Sequence, residues 1–113
     1  MIISVLKETF INEQRVAASP ESIKLLHRLG AEILVESGAG ILSQVTDEAF
    51  SSAGAKIVSH LECLKTDICL CVRMPSDEDI NQLNNNTILI GLLNPYENKK
   101  SFNNLNNKKI TTF

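Results

Sequence analysis

The chain alternates between short aliphatic runs and longer stretches in which aliphatic residues recur at helical spacing. The first run, residues 1–6 (MIISVL), reads as a strand buried on both faces. A polar connection follows and carries an arginine, Arg15. Helix-start chemistry comes next. Ser19 can accept from an orphan backbone N–H, Pro20 loses nothing at the first helical position, and Glu21 adds a carboxylate at the positive end of the helix dipole. The predicted helix over 20–29 buries Ile23, Leu25, Leu26 and Leu29 and turns Lys24, His27 and Arg28 to the other side. Gly30 closes it, because glycine enters a left-handed conformation without strain.

The same alternation continues. Residues 31–35 (AEILV) read as a second strand. Thr46 caps a helix with Asp47 and Glu48 in its first turn, Phe50 and Ala53 facing inward, and Gly54 at its end. Residues 56–58 are a short third strand. Ser59 and Glu62 have capping-box spacing at the start of a helix whose buried side is Leu61 and Leu64. Residues 68–72 (ICLCV) are a fourth strand, with Cys69 and Cys71 on one face. Ser76 opens a helix carrying Ile80 and Leu83, and Asn84, Asn85 and Asn86 supply turn chemistry. Residues 87–93 (TILIGLL) form a fifth strand that Asn94 and Pro95 stop. A helix over 98–107 buries Phe102 and Leu105, and residues 108–112 begin a sixth strand. Strands alternating with helices predict a mostly parallel sheet with helices on both faces.

Composition narrows the function classes. A length of 113 residues with 43% hydrophobic content suffices for one domain with a real core. A net charge of −2 argues against a nucleic-acid binder that works through phosphate contacts. No apolar run approaches the roughly 20 residues a spanning helix needs, so no direct membrane insertion is expected. The N-terminus lacks the paired basic and apolar regions of a secretory signal. The three cysteines are an odd number without framework spacing, which points to reduced thiols in a cytosolic setting. With no tryptophan, aliphatic packing must supply the core. Asparagine-rich and lysine-bearing positions after Asn81 read as a solvated face.

Candidate chemistry is sparse. Ser37-Gly38-Ala39-Gly40 follows a strand and resembles part of a dinucleotide fingerprint. Ser43 stands at the third glycine position, and the next helix starts too late to aim its N–H groups at a pyrophosphate. A turn needing positive φ is the expectation there. Cys69 and Cys71 would need two further ligands to hold a metal, and nothing places Cys63, His27 or His60 beside them, so no metal site is expected. Ligands of open α/β sheets sit beyond the carboxyl ends of the strands. Arg15, Arg73 and Asn94 fall there. Two arginines at one edge could clamp a carboxylate or phosphate; alternatively each pairs with a nearby acid and Asn94 caps a turn. No general base is evident, since both histidines lie in or beside helices rather than at strand ends.

These residues also carry a family likeness. KETFINEQRVAASPESIKLL, LVESGAG, TDEAFSSAGAKIV and CVRMP, in that order, resemble the N-terminal domain shared by alanine dehydrogenases and the proton-pumping nicotinamide nucleotide transhydrogenases. The resemblance covers residues 1–113. It implies a flavodoxin-like α/β domain preceding a separate Rossmann NAD-binding domain, which would follow residue 113. It further implies that Arg15 matches the arginine that binds the substrate carboxylate in the dehydrogenases. Arg73 and Asn94 fall where the dehydrogenases have a lysine and a histidine. Arginine is always charged and asparagine does not titrate, so amine-oxidation chemistry is expected to be lost.

A transhydrogenase has no such need, because hydride passes between nicotinamides and the protein supplies alignment. The run LNPYEN also resembles the transhydrogenase pattern. The implied function is that of the N-terminal part of a transhydrogenase α subunit, moving hydride between NAD(H) and NADP(H) with coupled proton movement. NAD(H) would belong to the full-length subunit. For the chain alone no cofactor, catalytic residue or turnover is expected, and Arg15, Arg73 and Asn94 would be remnants of a substrate site. Implied partners are the NAD-binding, membrane and NADP-binding domains of the parent complex, at the cytoplasmic side of the inner membrane; a homodimer stays open. The competing expectations are an alanine-dehydrogenase-like fragment, binding pyruvate through Arg15 and Arg73, and a stand-alone flavodoxin-like binding module.

Overall fold

A computed structural model describes residues 1–113. Six parallel strands form one sheet in the order β3-β2-β1-β4-β5-β6. They are β1 (Ile2–Val5), β2 (Glu32–Glu36), β3 (Lys56–Val58), β4 (Ile68–Leu70), β5 (Ile88–Ile90) and β6 (Thr111–Thr112). The intervening helices are α1 (Pro20–Arg28), α2 (Asp47–Ser52), α3 (His60–Cys63), α4 (Asp77–Gln82) and α5 (Lys99–Asn107), with a single 3-10 turn at Ile41–Ser43. Without the outer strand β3, the remaining order is that of flavodoxin-like sheets. The chain runs outward from β1 in one direction, then restarts at β4 in the other. The switch point therefore lies between β1 and β4, and their carboxyl ends open into a shared crevice.

Side-chain alternation along the strands divides the core into two layers. Ile3, Val5, Ile33 and Val35 pack with Ile23 of α1 and Phe50 of α2. Leu34, Cys69 and Leu89 face the other way and pack with Cys63, Ile80 and Leu105 of α3, α4 and α5. Cys69 and Cys71 share that second layer with Cys63, and all three thiols are free and buried. A polar thread runs through it as well. Ser4 Oγ donates to the Cys63 carbonyl at 2.7 Å, and Thr87 Oγ1 donates to the Thr66 carbonyl at 3.0 Å.

Several sequence expectations need correction. Leu25 and Leu29 are exposed, at 59% and 83%, rather than buried. At about 3.6 residues per turn, the positions two and six residues beyond Ile23 lie on the far side of the helix. Only Ile23 is fully buried on α1, with Leu26 half-buried beside it. Leu61 is likewise exposed, because the single-turn α3 turns Cys63 inward instead. The reciprocal capping box is at Ser19 and Ser22, where Ser22 Oγ accepts the Ser19 amide at 2.9 Å. At Ser59 the cap itself forms as expected, its hydroxyl accepting the Glu62 amide at 3.4 Å, but that hydroxyl also donates to the Glu62 carboxylate at 3.1 Å, so the carboxylate does not return to the cap amide. The fourth and fifth strands are shorter than read, yet pairing persists past them: the Cys71 amide donates to the Ile90 carbonyl at 3.0 Å.

Candidate functional site

Two loops meet at the switch point. One, residues 6–19, leaves β1; the other, residues 71–76, leaves β4. Two carboxylates fasten them. The Glu8 carboxylate spans the crevice and accepts the backbone amides of Val72 at 2.9 Å and Arg73 at 2.8 Å. Burial pushes its pKa up, and the two amides oppose that shift. Both oxygens are thus committed to holding backbone.

Glu13 lies at the centre, its side chain only 5% exposed. A turn brings it there: its amide donates to the Phe10 carbonyl at 3.0 Å, and Asn12 takes a left-handed φ of 62°. Arg15 grips the Glu13 carboxylate through Nε at 2.8 Å and Nη2 at 2.7 Å, and its backbone amide adds a third bond at 3.0 Å. Arg73 arrives from the other loop and donates from Nε to Glu13 Oε1 at 3.0 Å. Its guanidinium also lies over the Phe10 ring, 4.7 Å from the centroid. The bonds from Arg15, followed by that from Arg73, hold the Glu13 carboxyl far below the usual carboxylate range. The same pairing holds Arg15 still more firmly in its charged form.

The structure thus brings Arg15 and Arg73 together on an internal carboxylate. Asn94 does not join that carboxylate. It is exposed, takes a left-handed φ of 47°, and its carbonyl accepts from the Glu97 amide at 3.2 Å and from Asn98 Nδ2 at 3.1 Å. Two clefts flank the Glu13 junction. A cleft of about 170 Å³ is lined by Lys7, Gln14, Arg15 and Ile41. A second, of about 260 Å³, holds Phe10, Arg73, Ser76, Asn94 and Ser101. So Arg15 opens on one side of the junction, and Arg73 with Asn94 on the other. An anion entering either cleft would meet guanidiniums already paired with Glu13, and neither a guanidinium nor a carboxamide can serve as a general acid or base.

The SGAG segment has its own occupant. Asp47 Oδ1 accepts the Gly38 amide at 3.0 Å and Oδ2 accepts Ser37 Oγ at 3.1 Å. Two donors a phosphate could use, the Gly38 amide and the Ser37 hydroxyl, are filled by a side chain of this chain. Gly38 has φ +81°, and a Cβ on Gly40 would meet the Val45 carbonyl oxygen at 2.6 Å, so both glycines answer to the turn itself.

Sequence reasoning missed Glu8, Glu13 and Phe10, which set the geometry of the arginines, and also His60. That histidine opens α3, immediately beyond β3, and stands between Glu36 Oε1 at 3.0 Å from Nδ1 and Asp79 Oδ1 at 2.7 Å from Nε2. Glu13 was two residues from Arg15 and could have been suspected as its partner. No local signal linked His60 to residues 24 and 19 positions away. Nowhere do His, Cys, Asp or Glu side chains converge in an arrangement that could hold a metal ion.

The alanine dehydrogenase/PNT N-terminal domain family model matches residues 4–113. The NAD(P) transhydrogenase subunit alpha of Haemophilus influenzae is 36% identical over 110 residues, which is 97% of this chain and 22% of that protein. Alanine dehydrogenase 1 of Staphylococcus aureus is 32% identical over 100 residues, 88% of this chain and 27% of that protein. Among solved structures, the transhydrogenase of Sinorhizobium meliloti superposes with a TM-score of 0.96 at 34% identity, over 100% of this chain and 34% of that one. The chain spans about a quarter of the length of these curated relatives. It belongs to the alanine dehydrogenase/transhydrogenase N-terminal domain family.

Proposed function

We propose that residues 1–113 are the N-terminal domain of a proton-translocating NAD(P) transhydrogenase α subunit. The parent protein would pass hydride between NAD(H) and NADP(H) and couple that transfer to proton movement. One observation carries the choice within the family: Arg73, locked to Glu13 and Phe10, and Asn94, in an exposed left-handed turn, occupy positions where the resemblance implies a lysine and a histidine in the dehydrogenases. Amine oxidation needs proton carriers there, whereas direct hydride transfer needs only alignment.

On this reading NAD(H) is held by a separate domain of the parent subunit. The partners are that domain, a membrane domain and an NADP-binding domain, on the cytoplasmic side of the inner membrane. No helix of residues 1–113 is long and apolar enough to cross a membrane. The domain would contribute shape and a charged rim, with Arg15, Arg73 and Asn94 as remnants of a substrate site.

A second reading, an alanine-dehydrogenase-like enzyme, is favoured by the retained Arg15 and by the 32% identity to the Staphylococcus aureus relative. The deciding assay follows hydride in the intact parent protein. NADPH-driven reduction of a spectrally distinct NAD analogue is the expected result. NADH consumption that requires pyruvate and ammonium, with alanine as product, would overturn it. For the isolated chain, calorimetry with NADH should show no micromolar binding.

A further inference from the structure

His60 joins the two halves of the crevice through bonds that require a proton. Its Nδ1 meets Glu36 Oε1 at 3.0 Å and its Nε2 meets Asp79 Oδ1 at 2.7 Å. Ionised carboxylates only accept, and a neutral imidazole has a single N–H. Both contacts are satisfied together only when the ring is an imidazolium. Glu36, at the end of β2, uses its other oxygen to accept the Lys7 amide at 2.8 Å, the first exposed residue of the loop that carries Glu8, Glu13 and Arg15. Asp79 lies in the first turn of α4, directly after the segment that carries Arg73, and its amide donates to the Ser76 cap at 3.2 Å.

We propose that the proton on His60 adds a third tie between the two loops at the switch point, so that its loss leaves the Arg73 segment held to the Arg15 loop by the Glu8 and Glu13 bonds alone. With the proton present, β2, α3 and α4 form one hydrogen-bonded unit beneath the crevice. Without it, one ring nitrogen presents a lone pair to a carboxylate, and that contact turns repulsive. Loss of the positive charge between Glu36 and Asp79 weakens both contacts, so the change reaches both loops. The charged groups facing His60 are Glu36 from β2 and Asp79 from α4. Cys63, on the same helix, is a buried thiol pushed up to about 12 and stays protonated. The bond to Asp79, opposed by partial burial and supported by Glu36, raises the His60 pKa above its ordinary 6.5. The tether therefore stabilises the domain fully below pH 6.5 and weakens as pH rises through the folded-state value. This device belongs to the domain itself and does not rest on either hydride chemistry proposed for the parent.

The test is a nitrogen-15 titration of the 113-residue chain between about pH 5 and pH 9, which brackets an ordinary histidine and an upward shift from it. His60→Gln identifies the His60 ring signals by their loss. At the acid end both ring nitrogens should be protonated, and the proton should leave above 6.5. The Arg73 Nε and Lys7 amide signals should shift with the same midpoint, and that shift should vanish in His60→Gln. Asp79→Asn, which keeps an acceptor and removes a charge, should lower the midpoint. The proposal is overturned by a midpoint at or below 6.5, by Arg73 and Lys7 signals that stay still as His60 titrates, or by an unchanged midpoint in Asp79→Asn.

Discussion

Arg73 Nε donates to Glu13 Oε1 at 3.0 Å, across 60 residues of sequence and between the loops that leave β1 and β4. That bond makes the rim of the sheet a closed charge arrangement. Two guanidiniums share one nearly buried carboxylate, with Phe10 beneath one of them. Any anion that enters either flanking cleft meets arginines already engaged with Glu13. Binding there would have to compete with an intramolecular carboxylate whose geometry is set by the turn at Asn12.

Replacing Glu13 by Gln should destabilise the domain at neutral pH, because Arg15 and Arg73 would face each other without the charge between them. The pH dependence has a defined sign. The folded-state pKa of Glu13 lies well below its ordinary 4.5, so its contribution is complete above 4.5 and declines as pH falls further. Urea unfolding of both proteins should show a stability gap that is full at neutral pH and narrows below 4.5. A constant gap would remove the charge explanation.

Some of this was legible in the residues and some was not. The strand and helix alternation, the Ser19 and Thr46 caps and the buried faces of Phe50, Ile80 and Leu105 follow from local pattern, and the structure has them. The phase of α1 was harder to read, since four aliphatic side chains over seven positions cannot all face one sheet, and counting them does not say which two leave it. The positions of Arg15, Arg73 and Asn94 near strand ends could be read, and Glu13 could be suspected beside Arg15, but the partner of Arg73 could not. Glu13 meets Arg73, and His60 meets Glu36 and Asp79, only after the parallel crossovers place distant loops side by side. Contacts of that kind depend on sheet order, to which no window of local sequence has access.

The corrected phase of α1 can be measured. Ile23 is fully buried between the helix and the sheet, so Ile23→Ala should cost about 3 kcal/mol. Leu29, exposed past the end of the helix, should tolerate alanine within about 0.5 kcal/mol. Equal losses by chemical denaturation would restore the reading in which both face inward.

Gly91 occupies a place where the two strand ends leave no room. A Cβ there would come within 2.6 Å of the Cys71 carbonyl oxygen and 2.9 Å of its Sγ. The carbonyl is backbone at the base of the Arg73 loop and cannot swing aside as a side chain would. Gly91→Ala should therefore cost about 2 kcal/mol by overpacking. Amide shifts from Cys71 to Arg73 should move with it, and an unperturbed spectrum would show that the strands yield elsewhere.

The three thiols should be silent in the native protein. Burial pushes Cys63 and Cys69 up to about 12 and raises Cys71 as well. A thiol that stays protonated and out of reach of solvent is a poor nucleophile. A chromogenic disulfide reagent at about pH 8, where an ordinary free thiol ionises appreciably, should label the folded chain only as fast as it opens. In strong guanidinium all three cysteines should react at once. Because Cys69 and Cys71 lie in the layer beneath α4, stabilising the fold should slow native labelling in proportion, whereas fast labelling of one cysteine would mean that this layer is open to solvent.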